Sequence, residues 1–171
     1  MSNGPLQLTA RLGIRWPAVP QVSGRHRQLG GLSEMKRVWP IIAVTSVPAS
    51  AKWYMTLLAA QQTHPGGTTF DQIVDEDGTV LLCLHHWGPT GASGTHQWPT
   101  LLNRGSSDEN GLLLWFVVDD FGRAWERAKG LEAAIEVEPN TDNGTGKPAF
   151  VIRDLDGYHV AINESWVVGA A

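Results

Sequence analysis

Residues 154–165 read DLDGYHVAINES, and residues 75–86 read DEDGTVLLCLHH. Each opens on D-x-D-G and continues into alternating apolar positions, and the two lie 79 positions apart. Asp-Gly flanked by such runs is a strong hairpin signal, because the tight turn needs a residue tolerant of positive φ. One corner built twice predicts a duplicated unit.

Working outward, the same order precedes both corners. PIIAVTS (40–46) is a short β-branched run and reads as a strand. Ser46 is placed to cap a helix, with Pro48 in its first turn. The helix SAKWYMTLLAA follows, with Trp53/Leu57 and Tyr54/Leu58 at i,i+4. HPGG (64–67) turns the chain, TTFDQIVDE reads as a strand, and TVLLCLHHW returns it. In the second half LLLWFVV (112–118) is a strand, and Asp119 or Asp120 caps FGRAWERAKG. In that helix Phe121, Ala124, Trp125 and Ala128 share one face, and Gly130 can end it. AAIEVE, PAFVIRD and YHVAINE complete a β-α-β-β-β order. The expected fold is α+β: two βαβββ modules forming a curved eight-stranded half-barrel, whose concave face would hold a ligand. The expected boundaries are a flexible basic arm at 1–35, modules at 36–87 and 111–166, a linker at 88–110 and a tail at 167–171.

Composition narrows the function classes. A chain of 171 residues with a hydrophobic fraction of 42% suits one domain or two small halves sharing a core. No apolar run is long enough for a membrane helix, so no membrane partner is expected. The lone Cys83 excludes an internal disulfide and a Cys-rich zinc site, and permits a reducing, cytoplasmic location. The net charge of −4 conceals a basic arm, with Arg11, Arg15, Arg25, Arg27, Lys36 and Arg37 against the single acid Glu34. That arm raises nucleic-acid binding, but it has no Lys/Arg block and no interleaved aromatics beyond Trp16, so nucleic acid is the weakest of the partners considered. MKRVWPIIAV, starting at Met35, is more orderly than what precedes it, and an alternative start there is an expectation.

VTSVPASAKWY, WFVVDDFGRAWERA and FVIRDLDGYHVAI together resemble the strand-helix junctions and closing hairpin of the glyoxalase / bleomycin-resistance / dioxygenase (vicinal oxygen chelate) superfamily. Val44, Ser46, Ser50, Trp53 and Tyr54 occupy the places of the first junction's pattern, and the resemblance spans about residues 36–166. It implies paired βαβββ modules and commonly a homodimer; the modules can pair within one chain or swap between two chains. Metal-dependent members carry His, Gln or Glu at cleft positions of the first and last strand of each module. Seven residues before the helix cap stand Trp39 and Leu113; five after the turn aspartate stand Leu82 and Ala161. None can donate a lone pair to a cation, so the resemblance implies a member without metal or other cofactor. A one-residue difference in register would place Cys83 and Ile162 on the closing strands instead.

Strand alternation adds Leu84 and His86 to the side of Leu82, and His159 and Asn163 to that of Ala161. His85 would point away from His86. Trp53 and Trp125 are expected in the core. No G-x-S-x-G is present, and GTGK (144–147) precedes a strand rather than a helix, so it is not a phosphate loop. The sequence therefore leads to a binding protein whose cleft, lined by Trp39, Leu82, Leu84, His86, Leu113, His159, Ala161 and Asn163, takes an apolar or aromatic small molecule without a metal, with sequestration of a toxic compound as the expected role. The alternative is an enzyme of the same superfamily, a lyase, isomerase or dioxygenase, using a displaced metal site or acid-base chemistry at His86 or His159.

Overall fold

The computed structural model describes residues 37–88, 101 and 111–166. The expectations for the arm, for most of the linker and for the tail lie outside the described residues.

Strand β1 (Ile41–Val44) leads into helix α1 (Val47–Leu58). Ser46 is extended at φ −140, and its hydroxyl accepts the Ala49 N–H at 3.4 Å. Strands β2 (Gln61–Gln62), β3 (Phe70–Val74) and β4 (Val80–His86) complete the first module. The second module has β5 (Leu113–Val118), α2 (Phe121–Gly130), β6 (Ala134–Asn140), β7 (Ala149–Arg153) and β8 (His159–Glu164). Asp120, not Asp119, caps α2, its carboxylate accepting the Arg123 N–H at 3.0 Å. Arg127 and Lys129 stand in the last turn, where the helix dipole favours positive charge.

The strands divide into two four-stranded sheets of matching order, β1-β4-β3-β2 and β5-β8-β7-β6. In each, the first strand runs parallel to the last and the hairpin partners are antiparallel. The D-x-D-G corners are built alike. Asp75 N–H donates to Thr79 O and Gly78 N–H to Asp75 O; Asp154 N–H donates to Tyr158 O and Gly157 N–H to Asp154 O. Gly78 and Gly157 sit at φ 82 and 87, the left-handed region that a Cβ disfavours.

One difference separates the two hairpins. In the first, Ile73 pairs with Leu82 but the next residue, Val74, pairs with Val80. Leu81 is therefore an extra residue, a β-bulge that shifts the alternation of β4 by one. The second hairpin pairs residue for residue from Arg153↔His159 to Ala149↔Asn163.

Side chains facing the helices form one cluster across both modules. Ile42, Val44, Leu82 and Leu84 meet Val47, Ala51, Tyr54 and Leu57; Leu114, Phe150, Ile152, Val160 and Ile162 meet Ala124 and Ala128. Phe150 is fully buried, its ring 5.5 Å from Phe121 and 5.0 Å from Trp125. Burial of each such side chain is worth about 1.5–3 kcal/mol. Polar ties also cross between modules. Tyr54 Oη donates to Asp154 Oδ2 at 2.7 Å, Arg127 Nε to Leu57 O at 2.8 Å, and Tyr158 Oη to Ala43 O at 3.0 Å.

Candidate functional site

Each sheet has one face on this core and one face away from it. On β5 the alternation is clean. Leu114 is buried and Phe116 and Val118 half-buried on the core side, while Leu113, Trp115 and Val117 are 45%, 40% and 47% exposed on the other. We call the latter side the open face.

Register identifies equivalent positions without counting from the turns. Ile41 pairs with Cys83 as Trp115 pairs with Ala161. Ala43 pairs with His85 as Val117 pairs with Asn163. The equivalent of Ala161 is thus Cys83 rather than Leu82, because the bulge at Leu81 lengthens β4 by one residue. The expectation that Leu82, Leu84 and His86 share the ligand-binding face is corrected accordingly. Leu82 and Leu84 are fully buried in the core with α1. His86 follows their parity, is exposed, and lies off the open face. His85 is on the open side, buried, its Nδ1 2.6 Å from His86 O. Trp39 precedes β1, is exposed, and lines a cavity of about 440 Å³ with Arg37, Val38, Asp77 and Thr79.

The second module brings its expected residues together on one face. Leu113 pairs with His159, Trp115 with Ala161 and Val117 with Asn163. Ala161 is fully buried beside the exposed Trp115. Asn163 is also fully buried and its amide is engaged at both ends: Oδ1 accepts Thr145 Oγ1 at 3.0 Å, and Nδ2 donates to Glu164 O at 2.6 Å. It anchors the β6–β7 loop instead of presenting a polar group.

His159 is different. Its Nε2 lies 3.1 Å from Glu136 Oε2, and Arg153 Nε donates to Glu136 Oε1 at 2.8 Å. Arg153 Nη1 also donates to Gly157 O at 2.7 Å. The hydrogen bond from Arg153 is the main reason the Glu136 carboxyl is held below the usual carboxylate range; its charge and His159 add to it. An ionised carboxylate can only accept, so Nε2 of His159 carries the proton. Nδ1 then offers a lone pair, with no hydrogen-bond partner among the described residues. Sequence reasoning missed Glu136 and Arg153. Nothing in AAIEVE separates Glu136 from Glu138, and the contact is made only by the pairing of three strands.

The positions at which metal-dependent relatives hold ligands contain Trp39, Cys83, Leu113 and Ala161. Only the thiol could donate, and burial pushes the Cys83 thiol up, away from the thiolate that a metal requires. Among the described residues no three His, Cys, Asp or Glu side chains are placed to hold an ion. These residues do not fit a divalent metal, which needs about three protein ligands.

A second cavity, about 410 Å³, lies between the modules, lined by Leu81, Asp75, Glu76, Phe116, Asp119 and Arg123 among others. Neither cavity includes His159 or Trp115. We favour the open face of the second sheet as the candidate site. It joins an apolar surface to an oriented polar group, whereas the intermodule cavity draws on charges already engaged, such as the Asp120–Arg123 pair at 3.2 Å.

Two βαβββ modules, each a four-stranded mixed sheet with one helix, define a duplicated α+β fold. The chain belongs to the glyoxalase/bleomycin resistance protein/dioxygenase superfamily, which it matches over residues 36–162. Among solved structures it is similar to the hypothetical protein SA1046 from S. aureus, with a TM-score of 0.58 and 16% identity over 77% of this chain and 95% of that one. It is similar also to a structure from the mobile metagenome of V. Pseudocholerae, with a TM-score of 0.57 and 18% identity over 80% and 100%. A genomically encoded fosfomycin resistance protein, FosX, from Listeria monocytogenes matches with a TM-score of 0.52 and 10% identity over 78% and 95%. At these identities the likeness is one of fold. No curated protein matches the chain in sequence. Among the described residues no helix is long and apolar enough to cross a membrane.

Proposed function

We propose that the chain is a small-molecule binding protein that holds an apolar or aromatic ligand, without a metal, on the open face of its second sheet, and thereby sequesters it. The observation that carries this reading is the row Leu113, Trp115 and Val117, exposed side by side along β5 and bordered by His159, Glu136 and Arg153. Apolar and aromatic side chains with a few fixed polar groups are what small-molecule sites consist of. A homodimer belongs to the same reading, supported by the exposed Val38, Trp39 and Ile41 at the sheet edge formed by β1.

A second reading, acid-base catalysis within the superfamily, is favoured by one observation: a histidine hydrogen-bonded to an ionised carboxylate on an accessible face. His86 has no part in it.

A thermal-shift screen with divalent metals and aromatic compounds tests the proposal, since a ligand of the native state raises the melting temperature. The expected result is stabilisation by aromatic compounds, unaffected by chelator and lost in Trp115→Ala. Stabilisation by a stoichiometric metal that disappears in His159→Ala would overturn it.

A further inference from the structure

We infer that the ligand of this face carries a hydrogen-bond donor, a hydroxyl or N–H on an apolar ring, whose proton is accepted by His159 Nδ1. This rests on the binding role proposed above and names the chemistry of what is bound.

The chain of contacts fixes the direction of each hydrogen bond. Arg153 donates to Glu136 from Nε, and Glu136 accepts from both Arg153 and His159. A carboxylate has no proton to give, so the neutral imidazole is held as its Nε2–H tautomer. Nδ1, without a hydrogen-bond partner among the described residues, is then an acceptor. Leu113 is paired opposite His159, and Trp115 is its diagonal neighbour on the same face, so a ring resting on them sets its edge near the imidazole. A ligand without a donor would cover Nδ1 and leave it unpaired, which selects against it. A charged ligand gains little here, because the Arg153–Glu136 pair at 2.8 Å already compensates both charges. A neutral donor satisfies the site. Glu136 acts through His159 and is a positioning residue.

The test compares two probes sharing one ring system, 2-naphthol and 2-methoxynaphthalene, by equilibrium dialysis against the full chain. The expected result is that 2-naphthol binds about 5- to 10-fold more tightly. In His159→Leu the preference vanishes while binding of the naphthalene ring persists. Glu136→Gln supplies one oxygen and one amide where two acceptors stood. Arg153 claims the oxygen, so the amide donates to Nε2 and the His159 proton moves to Nδ1. Nitrogen NMR of the imidazole reads that exchange, which a merely structural role would not produce, and the naphthol preference collapses with it. Equal binding of both probes by the parent chain overturns the inference and leaves the binding role standing. So does a preference that survives in His159→Leu. If neither probe binds, and sedimentation shows a dimer that Trp115→Asp dissociates, a second copy occupies the face and both readings fall.

Discussion

The phenol oxygen of Tyr54 on α1 lies 2.7 Å from Asp154 Oδ2, in the corner between β7 and β8 of the other module. The other carboxylate oxygen accepts the N–H groups of Asp156 at 3.0 Å and Tyr158 at 2.8 Å. The second D-x-D-G corner is therefore an inter-module tie as well as a turn, whereas Asp75 of the first corner is exposed. Burial pushes the Asp154 carboxyl above the usual carboxylate range, and its hydrogen bonds oppose that shift only in part. Burial also raises Tyr54, with the charge of Asp154 next, so the phenol keeps its proton and donates.

Replacing Tyr54 by Phe removes the donor and leaves Oδ2 of a buried carboxylate unpaired. The expected loss is about 1–3 kcal/mol of unfolding free energy. Urea denaturation of Tyr54→Phe, Asp154→Asn and the double variant checks it. The double variant is expected to lose less than the sum of the singles, because the two groups are partners.

The pH dependence has a definite sign. The folded-state pKa of Asp154 is raised, so its contribution is fully present below the ordinary carboxylate value of about 3.9 and is lost as pH rises through the raised value. Replacing it by Asn should flatten the fall in stability as pH rises above the ordinary carboxylate value of about 3.9. The Tyr54→Phe penalty should be smaller at the acidic end, where a protonated Asp154 needs the phenol less. Unfolding curves at acidic and at neutral pH read the difference. Glu136 has the opposite sign, its pKa being lowered, so its contribution is present above the ordinary value and lost on acidification.

Open and core faces should respond oppositely to truncation. Phe150→Ala removes a fully buried ring and is expected to cost about 3–5 kcal/mol. Trp115→Ala, at a half-exposed position, should cost less than about 1 kcal/mol yet weaken ligand binding. Denaturation midpoints and ligand-induced thermal shifts, measured on the same two variants, separate stability from binding.

Much of this architecture is readable along the chain because it is set by local chemistry. The caps at Ser46 and Asp120, the glycines of the D-x-D-G corners and the i,i+4 face of each helix are near-neighbour effects, and they recur in order. The second module's open face follows from alternation, because β7 and β8 pair without interruption. In the first module the same alternation misleads. A bulge is a property of two paired strands, and DEDGTVLLCLHH gives no sign that Leu81 is supernumerary. Leu82, Leu84 and His86 consequently move to the wrong side, while Cys83 and His85 take the open one. Gln61–Gln62, a strand of two residues, is too short for any period to register. The Glu136–Arg153–His159 row joins three strands and is invisible to spacing.

Cys83 offers a direct check that its position on the first sheet is closed to solvent. It is fully buried, within 3.9 Å of the Gln72 amide, and burial pushes its thiol up. Labelling by a disulfide reagent at neutral pH should be slow in the native protein, by about 100-fold or more relative to urea-unfolded chain, because only the thiolate reacts and only an opened state exposes it. Rapid labelling of the folded protein would show that this position is open to solvent.

The single cluster under both helices makes the two halves thermodynamically inseparable. Tyr54 belongs to one half yet packs 6.5 Å from the Phe116 ring and bonds to Asp154 in the other, so neither half closes its own interior. Residues 111–166 expressed by themselves should behave as a collapsed, aggregation-prone fragment, while the intact chain melts in one all-or-none transition despite being built from a repeat.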